Sequence, residues 1–250
     1  MGKASGLRLL LGNAYQLSGV DQRRVTYEIR KGAWAEDRCF RTGNEGRFIV
    51  FEGIDGSGKS TQAELLRSAL EGSGLSVILT AEPSTGPVGR LIRTMRTRSS
   101  PREEARLFAR DRREHLERVI KPALAAGRTV ICDRYIHSSI AYQGARGIDL
   151  DDIMCLNSDF LVRPDLVVLL EVGVDEALSR IMAGRGSGLS LFEKRESLVA
   201  VREIYHSLGD PLFRLVDGTG TAQEVHAEVT QILASLCYWE GLFEESGRRT

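Results

Sequence analysis

The chain has 250 residues, and its 34 lysine and arginine residues are balanced by 34 aspartate and glutamate residues. This length suits one domain, or one domain with an appendage. The zero net charge argues against a protein held to nucleic acid by bulk charge, and no apolar stretch approaches the length of a membrane span. Residues 1–11 lack the sustained apolar core of a secretion signal, so we expect a cytoplasmic protein that binds neither membranes nor nucleic acid.

Strand-like and helix-like segments alternate from Arg47 onward. The predicted strands cover residues 48–52, 77–80, 129–132, 166–172 and 213–216. The predicted helices cover residues 59–70, a stretch after Pro87, 101–126 with a bend at Pro122, 174–183, 193–208 and 222–236. Strands separated by helices pair in parallel, so we predict an α/β fold with a doubly wound five-stranded parallel sheet and helices on both faces. Ligands of such sheets bind at the carboxyl ends of the strands.

Residues 1–46 do not fit that alternation. Residues 25–30 alternate enough to form a strand, and Lys31-Gly32 could turn it into a hairpin with residues 33–40. We interpret 1–46 as a mobile extension or a start assigned too far upstream, with a regulatory or partner-binding element as the alternative. The domain itself is then 47–236, followed by a C-terminal tail at 237–250.

The cysteines predict no covalent framework. Cys39, Cys132, Cys155 and Cys237 are far apart, and none belongs to a C-x-x-C pair. Reduced thiols are therefore the expected state, and neither a disulfide framework nor a zinc site is predicted.

The most informative segment is FIVFEGIDGSGKST at 48–61, a buried strand that leads into G-x-x-x-x-G-K-[ST] and then a helix. Glycines let backbone N–H groups point inward around phosphate oxygens, and the helix N-terminus adds partial positive charge. Lys59 is placed to reach the β- and γ-phosphates, and the Ser60 hydroxyl to ligate Mg²⁺. A glycine-rich turn that binds nothing is the alternative. The predicted ATP-binding residues are Gly53, Ile54, Asp55, Gly56, Ser57, Gly58, Lys59, Ser60 and Thr61.

Asp133 and Arg134 directly follow the predicted strand at 129–132. A carboxylate at the end of a buried strand beside a phosphate loop can hold Mg²⁺ through its water shell. The planar guanidinium of Arg134 can bridge two phosphoryl groups. The alternative is a surface salt bridge at the end of a strand.

Two helical pairs could bind a flat base. Ser139 and Gln143 are four residues apart, as are Phe108 and Arg112, so each pair shares a helix face. A hydroxyl with an amide can read the edge of a nucleobase, and an aromatic ring beside a guanidinium can stack on it. An ordinary polar helix face and a core phenylalanine are the alternatives.

Two further segments could contact phosphate. Arg93 lies on the helix after Pro87 and could hold a second phosphate, although a solvated arginine is the commoner case. The Gly/Ser-rich segment 184–188 is a candidate lid that closes over the phosphates, and a disordered surface loop is the alternative. Arg185, Lys194 and Arg195 are candidates to stabilise charge on the transferred group, which can contribute on the order of 10³–10⁵ in rate.

Together these segments resemble the thymidylate kinases, a family of P-loop nucleoside-monophosphate kinases. The matching segments are FEGIDGSGKSTQ at 51–62, EP at 82–83, GRLIR at 89–93, LFARDR at 107–112, IKPAL at 120–124, DRYIHSSIAYQG at 133–144, RPDLVVLLEV at 163–172 and VDG at 216–218. The resemblance covers roughly residues 47–236, and DRY followed by SSxAYQG is its most specific part. It implies transfer of the ATP γ-phosphoryl group to dTMP with Mg²⁺, and a homodimer.

The resemblance also implies roles for individual residues. Lys59, Arg134 and Arg185 would be catalytic, with Ser60 holding Mg²⁺ directly and Asp133 indirectly. The substrate-binding residues would be Asp55 for the sugar 3′-hydroxyl, Arg93 and Arg134 for the acceptor phosphate, Phe108 and Arg112 for stacking on and reading thymine, Ser139 and Gln143 for polar contacts to the base, and Tyr142 for disfavouring ribonucleotides.

The sequence departs from the family pattern at three places. Ala81 stands where many bacterial members carry Arg, and the segment 82–86 looks more like archaeal members. Gly56 stands where some members carry Arg, so the catalytic arginine is expected from the lid, at Arg185. The extension at 1–46 has no counterpart.

Two other functions remain open at this stage. A kinase for another monophosphate, such as dUMP, is the runner-up. A non-catalytic paralogue should have lost Lys59, Arg134 or Asp55, and a GTPase switch should carry N-K-x-D; all three residues are present and that motif is absent.

Overall fold

A computed structural model describes residues 27–28, 46–95, 99–185 and 195–236, without the side chains of residues 27, 28, 184 and 185. The sheet strands are β1 Phe48–Glu52, β2 Val77–Ala81, β3 Thr129–Asp133, β4 Leu166–Glu171 and β5 Phe213–Asp217. The helices are α1 Lys59–Gly72, α2 Pro87–Thr94, α3 Pro101–His115, a π-helix Leu116–Ile120, α4 Lys121–Ala125, α5 Ile136–Gly144, α6 Leu150–Cys155, α7 Val174–Arg185, α8 Arg195–Ser207 and α9 Ala222–Ala234.

The five strands form one parallel sheet in the order β2-β3-β1-β4-β5. The first strand, β1, is central, between β3 and β4. The pairing is parallel because consecutive strands are joined by crossover helices rather than by hairpins. The predicted five-stranded parallel α/β fold is confirmed. All five strands end at the same edge, so Glu52 and Asp133 lie on adjacent strand ends.

Alternate side chains of the sheet pack into two separate cores. Phe48 and Val50 face a core shared with α3, α5, α6 and α8. Ile49 and Phe51 face a second core with α1 and α9. Every residue of β1 is therefore buried, which explains why this strand reads as a continuous apolar run rather than an alternating one.

Helix boundaries differ from the predictions where proline and glycine act locally. The predicted bend at Pro122 takes the form of a π-helix just before it, and the wider turn accommodates the ring and the missing N–H. Helix α7 extends two residues beyond the predicted end, to Arg185. Helix α8 begins at Arg195 and ends at Ser207, one residue before a short strand.

That short strand, Leu208–Gly209, pairs in parallel with Tyr27–Glu28. The predicted strand at 25–30 is therefore present in part, but the pairing described is with a distant segment rather than within the predicted hairpin. Residues 33–40, its predicted partner, lie outside the described part of the chain. Within the described residues, no helix has both the length and the apolar character needed to cross a membrane.

Candidate active site

The phosphate loop connects the end of β1 to the start of α1. Gly56 has a φ of 83°, and a Cβ at this position would lie 2.3 Å from the carbonyl oxygen of Ala177. The loop therefore packs against the start of α7 at a contact that only glycine permits. The same contact explains why no larger residue, including arginine, stands at position 56.

Lys59 folds back over the loop from the first turn of α1. Its Nζ donates to the carbonyl oxygen of Ile54 at 2.7 Å and lies 3.4 Å from the hydroxyl of Ser57. Burial, and then the nearby charge of Arg134, lower the pKa of Lys59 to about 8. An ammonium group so weakly solvated binds a phosphate strongly, because little hydration has to be removed.

Ser60 and Asp133 meet at the adjacent ends of α1 and β3. The Ser60 hydroxyl donates to Oδ2 of Asp133, and the buried Oδ1 of Asp133 has no hydrogen-bond partner among the described residues. An unsatisfied buried carboxylate oxygen beside a hydroxyl fits a hard cation that takes oxygen ligands and keeps several waters. Among the described residues, no three acidic, histidine or cysteine side chains form a metal cage, so this pair fits Mg²⁺ that is bound together with phosphates.

A cavity of about 720 Å³ lies over the loop. It is lined by residues 55–62 and by Asp133 and Arg134. Its other lining residues were missed by the sequence reasoning: Arg180, Ile181, Gly218, Gly220, Ala222 and Val225. Arg180 donates to the carbonyl oxygen of Gly218 at 2.8 Å. Nothing in its helical spacing distinguishes Arg180 from a solvated arginine; only the packing of α7 against the β5–α9 loop does.

Asp55 and Arg134 form an ion pair at the edge of this cavity. The backbone N–H of Asp55 also donates to the Tyr142 hydroxyl at 3.0 Å, and the Arg134 guanidinium lies 5.1 Å from the centre of the Tyr142 ring. Burial raises the pKa of Tyr142, so the phenol stays neutral. Three of the predicted substrate residues are thus brought into one cluster, contiguous with the phosphate loop.

Arg93 lies on α2 and is held against the segment that follows β2. Its guanidinium donates to the carbonyl oxygens of Pro83 and, at 2.6 Å, of Ser84. The Ser84 N–H and hydroxyl in turn donate to the Asp111 carboxylate at 2.7 and 2.5 Å. These contacts fix the segment between β2 and α2 against α3, and Arg93 with it.

Arg112 is almost completely buried, with 1% of its side chain exposed. It donates to Glu82 Oε2 at 2.8 Å, Asn157 Oδ1 at 2.7 Å, Ser139 Oγ at 2.8 Å and the carbonyl oxygen of Tyr135 at 3.2 Å. Four of its five N–H groups are thus taken by the protein itself. The sequence predicted a group that reads a base, and the structure adds that Arg112 joins α3 to the β2 end, α5 and α6.

Gln143 and Ser139 lie on α5 next to this cluster, and both are buried. In the part of the chain that the structure describes, Oε1 of Gln143 has no hydrogen-bond partner, which is rare for a buried amide and favours a ligand as its missing partner. Phe108, one turn before Arg112 on α3, is half-buried and lies outside both cores. It is therefore not the core phenylalanine of the alternative interpretation.

The predicted lid lies mostly outside the described residues. Arg185 ends α7, but its side chain is not described, and neither is Lys194. Arg195 begins α8 and pairs with Asp175 at 2.8 Å in an exposed position. The lid roles of Arg185 and Lys194 thus stay predictions.

Comparison with known proteins identifies the family of this chain. The family model for thymidylate kinase matches residues 51–229. The chain is 43% identical over 189 residues to the thymidylate kinase of Desulfotalea psychrophila, a match covering 74% of this chain and 93% of that protein. It is 44% identical over 199 residues to the probable thymidylate kinase of Pyrococcus horikoshii, covering 75% and 96%. The chain therefore belongs to the thymidylate kinase family, whose members are phosphotransferases that phosphorylate dTMP.

Proposed function

We propose that this chain transfers the γ-phosphoryl group of ATP to dTMP, giving ADP and dTDP, through the residues of the cluster described above. The observation that carries the proposal is the ion pair between Asp55 and Arg134. Asp55 belongs to the phosphate loop, whereas Arg134 begins the segment that leads into the base-facing helix α5. Their contact brings the donor and acceptor sites to one edge of the sheet.

On the donor side, backbone N–H groups of the loop at 53–61 would surround the β- and γ-phosphates, and Lys59 would contact them through its ammonium group. The N–H groups of Asp55 and Ser57 do not take part, because they donate to the Tyr142 hydroxyl and the Ile54 carbonyl oxygen. Ser60 and Asp133 are the residues that would hold Mg²⁺, directly and through water. The ion would supply positive charge that offsets the charge of the phosphate oxygens. Arg180 and the loop at 218–220 also line the cavity, where the nucleoside of ATP has room.

On the acceptor side, Gln143 supports a base with hydrogen-bonding groups on its edge, because its Oε1 is buried and unsatisfied. Phe108 supplies the stacking surface, and Ser139 and Arg112 complete the polar edge. Asp55 binds the sugar hydroxyl, and Tyr142 limits the space beside the sugar. Arg93 and Arg134 hold the acceptor phosphate.

Catalysis then follows from positioning and charge stabilisation, with no covalent intermediate. An oxygen of the acceptor phosphate attacks the γ-phosphorus, the bond to the bridging β–γ oxygen breaks, and ADP leaves. Lys59 and Arg134 stabilise the charge on the equatorial and bridging oxygens. We assign the third cation to Arg185 at the end of α7, two turns of helix beyond Ala177, which packs on the loop.

The same proposal includes residues 47–236 as the kinase domain, a cytoplasmic location and a homodimer. The dimer is tested by sedimentation of the purified chain, where a single species of one chain mass would contradict it.

The decisive experiment measures ADP release with dTMP, dUMP, AMP, CMP and GMP as acceptors in turn. We expect dTMP to be the preferred acceptor. A preference for dUMP would favour the alternative function, a kinase for another monophosphate. Activity on AMP or GMP without activity on dTMP would refute the proposal.

A further inference from the structure

Glu52, the last residue of β1, is fully buried, and no role has been assigned to it so far. Its Oε1 accepts the backbone N–H groups of Tyr135 at 2.8 Å and Ser138 at 3.1 Å. Its Oε2 accepts the hydroxyls of Ser138 at 2.6 Å and Tyr205 at 2.8 Å. The Nδ1 of His137 lies 3.8 Å from Oε1. Four donors thus satisfy both carboxylate oxygens inside the core.

Two of these donors belong to the start of helix α5. Tyr135 is the N-cap residue of this helix, and its own side chain makes no capping hydrogen bond. Glu52 therefore caps α5 from another strand, and its negative charge faces the positive end of the helix dipole. Because α5 carries Ser139, Tyr142 and Gln143, the cap sets where the acceptor-facing helix begins.

The contacts around Glu52 constrain both the backbone and the side chain of Arg134. Its φ is 75°, in the left-handed region that a residue with a side chain enters only under constraint. Its backbone N–H donates to the carbonyl oxygen of Phe51 at 2.9 Å, and the next N–H, of Tyr135, donates to Glu52. Its Nη1 donates to the Ser138 hydroxyl at 3.2 Å. Backbone and guanidinium of Arg134 are thus both tied to the last two residues of β1.

The fourth donor connects a more distant element. Tyr205 lies on α8, the first described helix after the lid segment, and its hydroxyl is 3.0 Å from the Ser138 hydroxyl as well as bonded to Glu52. Glu52 is therefore the meeting point of the β1 strand, the start of α5 and α8.

From these contacts we propose that Glu52 is a positioning residue for the acceptor phosphate. It acts through Ser138 and the Tyr135 N–H to hold the Arg134 guanidinium, and it does not touch the substrate itself. This inference rests on the proposed function, because it takes Arg134 to bind the phosphate of dTMP.

The test exploits a ligand that lacks the phosphate. The Glu52→Gln variant keeps the volume and one carbonyl acceptor for the two backbone N–H groups. Its amide N–H₂, however, faces the two hydroxyls, so the Ser138 hydroxyl must accept where it donated. We expect dTMP binding measured by calorimetry to weaken by about 10-fold or more, the effect of a small misplacement of a binding group. Binding of thymidine should stay within about twofold, because Arg134 makes no phosphate contact with it.

Equal losses for dTMP and thymidine would overturn the inference, because they would show a general disturbance of α5. So would dTMP binding within about twofold of the wild type. If the wild-type protein itself fails to bind dTMP, the proposed function fails together with the inference, and this outcome is visible without any variant.

Asp165→Asn is the matched control. Asp165 accepts the Phe48 N–H at 2.7 Å at the opposite end of β1, so its loss should leave the ratio of dTMP to thymidine affinity unchanged. If Glu52→Gln does not fold, Ser138→Ala removes only the bridge to Arg134 and the hydroxyl bonds. It should show the same selective loss of dTMP affinity, and an unchanged ratio would refute the positioning role.

Discussion

The proposed donor and acceptor sites of this protein are built in different ways. The proposed donor site consists of nine consecutive residues, Gly53 to Thr61, and would bind mainly through backbone N–H groups. The proposed acceptor site consists of side chains from the phosphate loop, the end of β3 and helices α2, α3 and α5, supported by buried groups at the end of β1, after β2, after α6 and on α8. Its groups are held by bonds to one another, such as the four that Arg112 donates.

The two sites differ in whether they depend on residues that are close in the sequence or on residues from distant elements. A backbone cradle needs glycines at fixed spacing and a helix to follow, so its function depends on neighbours in sequence. A network of buried side chains needs every donor to meet an acceptor from another element, so each member contributes both to binding and to stability. Substitutions in the two sites should therefore differ in which property they damage.

The largest effect is expected for Lys59→Ala. Loss of the one ammonium group in the phosphate loop should lower kcat/KM by about 10³-fold, as for removal of a preorganised charge-stabilising donor. Stability should change little, because Lys59 donates only to Ile54 and Ser57. Steady-state kinetics and thermal melting check this, with the exposed Lys121→Ala as the control. A loss smaller than about tenfold would contradict the donor-site role.

Arg112→Met should instead damage stability first. It leaves the Glu82 carboxylate buried without its guanidinium partner, and breaking a buried pair in this way costs about 3–5 kcal/mol. The melting temperature should fall by roughly 6–15 °C for a domain of this size. Arg113→Met, on the same helix, removes a half-exposed pair with Asp159 and a contact of the guanidinium with the Phe160 ring at 4.5 Å. Because both contacts are partly exposed to solvent, this variant should cost about 1 kcal/mol. Equal losses of stability in the two variants would contradict the structural role of the buried Arg112 network.

Phe108→Ala should weaken dTMP binding without unfolding the protein. Stacking of a base on an aromatic ring is worth about 1–3 kcal/mol, so we expect a Kd for dTMP raised roughly tenfold in calorimetry. Phe160 is buried in the core beside α3, and Phe160→Ala should show the reverse pattern, with lost stability and intact affinity. A large drop in melting temperature for Phe108→Ala would mean that the ring is core after all.

The smallest effect concerns pH. The pKa of Lys59 is lowered to about 8, and phosphate binding favours the protonated form. ATP affinity should therefore approach its full value well below pH 8 and fall as the pH rises through that value. Between pH 7.5 and 9 the Kd for ATP should rise roughly eightfold, as the protonated fraction falls. In Lys59→Ala this pH dependence should disappear, and a slope retained in the variant would assign it to another group.

Much of the fold was predictable because its strands are buried on both faces and its helices have local start and stop signals. The capping box at Thr221 and Glu224, for example, was visible in the sequence and begins α9. The π-helix before Pro122 could not be predicted, because proline indicates that the helix is disturbed but not which backbone geometry results. The parallel pairing of Tyr27–Glu28 with Leu208–Gly209 joins segments about 180 residues apart, and no local pattern encodes such a pairing.

The site residues likewise fall into those that local sequence predicts and those whose role depends on tertiary contacts. The sequence alone determined the phosphate loop and its chemistry, because a turn of glycines between a buried strand and a helix needs no distant partner. Only the tertiary structure decided that Arg112 is a buried link as well as a base-reading candidate, that Arg180 lines the cavity and that Glu52 and Arg134 both contact Ser138. Each of these depends on which donor meets which acceptor across elements, and that is set by the packing of the two cores rather than by spacing along the chain.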